Sequence, residues 1–152
     1  MRTLPSKKFS FILLACFYTF DAFSSYYAVQ YLGAKEGNLV IAPYVEKTPL
    51  LFFPIMVFGY ILNYCIYYVF TAVLWFFLKN TKHITKPLIE RVVLASIAIF
   101  YFFTVILNNS LYILGFRMAG GVKINLITGI VIALIYGILM LYQKNKFSSP
   151  SE

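Results

Sequence analysis

The sequence predicts an all-α polytopic membrane protein with four transmembrane helices and both termini in the cytoplasm. Two observations carry the fold class and a third orients it. The chain is 61% hydrophobic and only 12% charged, against about 25% charged in an ordinary soluble domain. A water-soluble fold of this length has too little polar surface to cover those apolar side chains. The apolar residues fall in four runs, at about 9–32, 50–78, 92–116 and 124–142, each near or above the roughly 20 residues a helix needs to cross the hydrocarbon core. Arg2, Lys7, Lys8, Lys79, Lys82, Lys86, Arg91, Lys144 and Lys146 then fall on one side, against Lys35, Lys47, Arg117 and Lys123 on the other. That bias places both termini inside. Residues 1–152 form a single membrane domain with short connections. The net charge of +8 does not indicate nucleic acid, because the cations sit in flanks and loops rather than in a patch interleaved with exposed aromatics.

The first run follows a basic start. A removed signal peptide would end in a short apolar core and a small-x-small cleavage site, whereas this run continues past Asp21 to Leu32, so the expectation is a retained helix, ended by Gly33. The connection 34–48 contains Gly37, Pro43 and the apolar stretch 39–42, which could dip into the membrane interface. Thr48-Pro49 reads as an N-cap followed by proline at the first helical position, where a missing amide hydrogen costs nothing. The second run is long enough to require tilt, and Pro54 lies in its first turns, where a bend is allowed but not required. Pro87 can open the third helix as Pro49 opens the second, and Gly115 can end it. In the fourth, Gly129-x-x-x-Ala133-x-x-x-Gly137 places small residues one above another, which lets two helix backbones approach closely in lipid. The contact is either within the chain or with a second copy or another membrane subunit.

Polar residues inside the spans give the only hint of a site. Asp21 is the one charge within any apolar run, and a carboxylate near the bilayer centre costs roughly 2.5–3.5 kcal/mol on insertion scales, so it should face protein or water and have a partner. Asp21, Ser24, Ser25 and Ala28 share one stripe of the first helix. The partners on offer are Asn63 near the middle of the second helix and Asn108 and Asn109 on the outer half of the third. With the first and third helices running outward and the second inward, Asn63 lies at the depth of Asp21, while Asn108 reaches it through Ser25 or water. In one reading the cluster joins helices through hydrogen bonds. In the other, Asp21 exchanges a proton or binds a cation along a path of asparagines, although such a path usually shows several ionisable groups and here there is one.

Other chemistry finds little support. His83 is the sole histidine and falls in a loop, so paired-histidine haem ligation and a histidine-based triad lack their residues. Cys16 and Cys65 have no metal-ligand spacing and read as small apolar packing residues. There is no glycine-rich phosphate loop and no acidic pair within a span. Tyr26, Tyr27, Tyr67 and Tyr68 read as packing or hydrogen-bonding groups, while Tyr31, Tyr44, Trp75, Tyr112 and Tyr142 suit the interface. No cofactor, metal or catalytic residue is assigned.

The chain also echoes itself. Phe17-Tyr18-x-Phe20 followed by Leu32-Gly33-x-Lys35 parallels Phe100-Tyr101-x-Phe103 followed by Leu114-Gly115-x-Arg117, both on outward-running helices, as a duplicated hairpin would give.

Asp21-Ala22-Phe23-Ser24-Ser25, then Gly33, then Glu36-Gly37-Asn38, resembles the small prokaryotic membrane proteins of domain of unknown function fifty-six fifty-eight. In that family an Asp followed by Ser or Thr in the first helix precedes a Gly and a Glu-x-Asn-Pro loop motif, with a Tyr-rich later helix. The resemblance covers roughly residues 17–114. Leu39 stands where the family has proline, and the lysine expected in the second helix is missing from 50–78. If that lysine normally pairs with a carboxylate, Asp21 or Glu36 is satisfied differently here. The resemblance implies common origin and no activity. Glu36 and Asn38 read either as a hydrogen-bonded turn or as a carboxylate and an amide at the outer mouth of the bundle, the turn being preferred.

The functional expectation is a non-enzymatic multi-pass protein of a prokaryotic plasma membrane, an accessory or structural subunit of a larger assembly. The alternative is a small proton- or cation-coupled carrier or channel that uses Asp21 and the helix asparagines.

Overall fold

The computed structural model describes residues 4–36, 40–81, 84–116 and 121–147 and is helical throughout its main elements. Arg2, Gly37, Asn38, Leu39, Lys82, His83 and Arg117 lie outside the described residues. Four helices are long and apolar enough to span a membrane, at Lys7–Leu32, Pro49–Leu78, Lys86–Ile113 and Leu126–Gln143.

Helix α1, Lys7–Leu32, starts two residues before its apolar run because Ser6 caps it, its side chain accepting from the Phe9 amide at 3.1 Å. It ends at Gly33, whose φ of 64° lies in the left-handed region open to glycine, with the Gly33 amide returning to the Ala28 carbonyl. The connection holds a short helix α2, Ala42–Val45, and a 3-10 turn, Pro49–Leu51. Thr48 makes no side-chain cap bond there, so the proline alone sets the entry to α3, Phe52–Leu78. The third span begins at Lys86, six residues before its apolar run, because Pro87 opens the helix among polar residues. It comprises α4, Lys86–Tyr101, a π segment, Phe102–Ile106, and α5, Leu107–Ile113. Gly115, with φ of 87°, follows its end. Helix α6, Gly121–Phe147, is the fourth.

Helices α1, α3 and α4 pack mutually, and α6 lies against the third span. The core where the first three spans meet is built from Leu14, Tyr18, Tyr67, Ile89, Leu94 and Tyr101. Its tyrosines are locked ring to ring, Tyr18 lying 4.3 Å from Tyr101 and 5.6 Å from Tyr60. Gly59 permits the approach of α3 to α1, since a Cβ there would sit 3.2 Å from Tyr18 Cε1. A Gly59→Val variant is therefore expected to lose roughly 1–3 kcal/mol by overpacking, read as a lower thermal midpoint in detergent.

The small-residue stripe of α6 is used within the chain. A Cβ on Gly129 would meet Thr104 and Phe100, one on Gly137 would meet Ser96 and Val92, and Ala133 between them is buried. A partner reaching the fourth helix would meet its other face, where Ile127, Leu134 and Ile138 are exposed. The outward surface of α3 is likewise apolar, with Phe58, Phe70, Phe76 and Phe77 all exposed. Contiguous apolar surface on this scale suits lipid or protein rather than water. Cys16 and Cys65, expected as packing residues, are exposed.

Candidate functional site

Asp21 lies near the middle of α1, about 16 Å along the axis from the helix end at Leu32. Both carboxylate oxygens are occupied. Oδ2 accepts from the Tyr101 hydroxyl at 2.8 Å. Oδ1 accepts from the Asn109 amide at 2.9 Å and from the Ser25 hydroxyl at 3.1 Å, one turn along α1. The Asn109 amide also contacts Ser24 Oγ at 2.9 Å and Ser25 Oγ at 3.3 Å. Ser24, which is buried, donates to the backbone carbonyl of Asp21 at 3.1 Å. The polar stripe of the first helix is thus tied directly to the third span.

Asn63 does not reach Asp21. Its amide donates to the Tyr18 hydroxyl and, at 3.2 Å, to the Gly59 carbonyl of its own helix. Tyr18 stands one turn nearer the start of α1 than Asp21, packed against Gly59 of α3, and takes the amide instead. The two clusters are still connected, because the Tyr18 ring packs on the Tyr101 ring at 4.3 Å and the Tyr101 hydroxyl donates to Asp21. A chain of side chains therefore runs from Asn63 through Tyr18, Tyr101 and Asp21 to Asn109, with members from the first three spans.

Asn109, not Asn108, makes the direct bond to Asp21, and the reason lies in the helix. In a regular α-helix Asn108, seven residues after Tyr101, would share its face within roughly 20°, while Asn109 would be turned away by roughly 80°. The π segment Phe102–Ile106 admits about one extra residue and takes back roughly 100° of rotation. Tyr101 and Asn109 then face Asp21 together, and the water or Ser25 relay expected for the third helix is not needed. Asn108 is half-buried beside it. Deleting Ile106 should regularise the helix, keep Asn109 on the Tyr101 face and leave a folded protein. An alanine inserted after Ile106 should turn Asn109 away and lower the thermal midpoint. The opposite ranking would show that the wide turn does not set this register.

Tyr101 and Tyr18 were absent from the expected cluster, although the sequence held a signal for them. They are the matching tyrosines of the internal echo, and the fold brings those two rings together. The glycines of the same echo, Gly33 and Gly115, both adopt positive φ.

Glu36 lies beyond the end of α1, and its backbone amide donates to the Glu46 carboxylate at 3.0 Å, which folds the connection back over the helix end. Asn38 lies outside the described residues. Two cavities stand out in the bundle. One, of about 10 Å³, is lined by Phe11, Tyr18, Tyr60, Asn63 and Tyr67 among others, and the second, of about 310 Å³, lies between α3 and α4. The smaller has room for about one water molecule. Asp21 lines neither. The bonds around it join the first span to the third. No protein family, functionally described protein or solved structure matches the chain.

Proposed function

We propose that this chain is a non-catalytic integral protein of a prokaryotic plasma membrane, with both termini cytoplasmic, serving as an accessory or structural subunit of a larger membrane complex. The observation that supports it most is the saturation of Asp21. Every donor on its carboxylate among the described residues belongs to the first or third span, so the most expensive residue in the membrane is spent on joining helices. The apolar outer faces of α3 and α6, rich in exposed Phe, Ile and Leu, offer surface to lipid and to neighbouring subunits. Common origin with domain of unknown function fifty-six fifty-eight belongs to the same proposal and brings no activity with it.

Native mass spectrometry after extraction from the source membrane in mild detergent tests the subunit role. The expected result is a stoichiometric complex with other membrane proteins. Recovery only as a monomer or homo-oligomer would overturn it.

One observation favours a second reading. The chain Asn63–Tyr18–Tyr101–Asp21–Asn109 is a connected series of polar side chains, hydrogen-bonded at every step except the ring contact of Tyr18 with Tyr101, as a proton- or cation-coupled carrier would need. On that reading Asp21→Asn abolishes proton or cation flux in proteoliposomes at unchanged folded yield. A parent protein with no flux removes it.

A further inference from the structure

The cavity of about 310 Å³ between α3 and α4 opens at the end of the bundle where α1 and α4 begin and α3 ends. Thr71, Trp75, Phe76, Lys79, Lys86 and Glu90 line it. Lys79 closes the last turn of α3, its Nζ 5.2 Å from the centre of the Phe76 ring. Lys86 is the first residue of α4, so its cation sits beside the positive end of that helix dipole. Thr85, the N-cap, makes no side-chain bond to the α4 amides, and the first turn of α4 carries no acidic residue. Two lysines therefore line the cavity beside the start of α4, whose Leu88 and Ile89 amides are taken by the Thr85 carbonyl, and the one acidic group among the described lining residues is Glu90. Glu90, one turn further in, is engaged by Lys7 across the bundle at 3.0 Å, so that pair adds no net charge. An independent feature points to an absent acceptor or donor. Thr71, only 3% exposed, lines this cavity with its hydroxyl unpaired, and a buried hydroxyl without a partner costs roughly 1–3 kcal/mol.

We propose that this cavity holds the phosphate group of an anionic phospholipid. The two lysines supply the countercharge, Thr71 supplies a hydroxyl at the inner wall, and Trp75 and Phe76 pack against the glycerol and upper acyl chains. The position fits a lipid better than a soluble phosphate compound. The cavity sits at the end of two apolar spans, its rim includes the exposed ring of Phe76, and basic pockets between helices are where lipid head groups are held. A bound lipid would bridge the second and third spans on the side opposite the α4–α6 contact.

The test is thermal unfolding of the purified full chain in detergent, titrated separately with phosphatidylglycerol, phosphatidylcholine and inorganic phosphate. Phosphatidylglycerol should raise the midpoint saturably and the other two should not. A Lys79→Gln/Lys86→Gln double variant should bind it at least about tenfold more weakly, while Lys8→Gln, outside the cavity, should bind it as the parent does. Thr71→Val, which keeps the side-chain shape, should weaken binding without lowering the unliganded midpoint. This second variant keeps the test valid if the lysine pair expresses poorly. Equal stabilisation by phosphatidylcholine, or an unchanged response in both variants, would overturn the proposal. Protection by inorganic phosphate alone would overturn the lipid assignment in favour of a soluble phosphate ligand.

Discussion

Asp21→Ala is expected to lower the unfolding free energy by roughly 2–4 kcal/mol, and Asp21→Asn by distinctly less. Alanine leaves the Tyr101 hydroxyl, the Asn109 amide and the Ser25 hydroxyl without their acceptor, and each buried donor left unpaired costs roughly 1–3 kcal/mol, although partners found elsewhere in the membrane reduce the total. Asparagine can keep the network because of how the donors are divided. Its carbonyl takes the place of Oδ1 and accepts from Asn109 and Ser25. Its amide replaces Oδ2, where the partner is a hydroxyl, and the Tyr101 hydroxyl can turn to accept that amide and direct its own proton toward Tyr18. Unfolding in graded detergent–SDS mixtures, followed by helicity, measures both variants. Equal loss in the two would mean that the charge itself, rather than the hydrogen bonds, holds the helices.

The second large effect is expected at Gly129. A Cβ there would lie 2.9 Å from Thr104 Cγ2 and 3.2 Å from the backbone oxygen of Phe100. Neither neighbour yields easily, because the oxygen is main chain and the Thr104 hydroxyl is held to that same oxygen at 2.9 Å. Gly129→Ala should cost roughly 1–3 kcal/mol, and Gly129→Leu enough to lift α6 off the third span. Gly137→Ala is the control. Its nearest neighbour is Ser96 Oγ at 3.3 Å, a side chain that can rotate, so the change should be close to neutral. Thermal midpoints of the three variants in one detergent test the ranking, and a Gly137→Ala loss equal to that of Gly129→Ala would contradict it.

Much of this was legible in the sequence because membrane insertion constrains it so heavily. The four spans follow from apolar length, and their ends from Gly33, Pro49, Pro87 and Gly115, whose backbone preferences act locally, whereas the Ser6 cap was not read. Asp21 with Ser24 and Ser25 was visible because three polar residues at helical spacing stand out in an apolar run. Two things were not. A π turn leaves no pattern in residues 102–106, where every choice except Thr104 is apolar, so the sequence offered both Asn108 and Asn109 without saying which of them bonds Asp21 directly. Tyrosine was also hard to place, because with 13 of them no single one is conspicuous, and its ring suits the core, the interface and lipid alike. The internal echo alone marked Tyr18 and Tyr101, and it did not say that one would take the Asn63 amide and the other bond Asp21. The destination of the α6 stripe was open for a related reason, since small-residue spacing shows that a helix approaches closely without naming which one.

A double-mutant cycle between Asp21 and Tyr101 tests the central claim most directly, that the intramembrane carboxyl is a joint between the first and third spans. Unfolding free energies are measured for the parent, Asp21→Ala, Tyr101→Phe and the double variant. A coupling of at least about 0.5 kcal/mol is predicted, within the range found for contacting residues and for interhelical hydrogen bonds in membranes. Strict additivity, with the Asp21→Ala protein as stable as the parent, would contradict the account and leave Asp21 free for a working role.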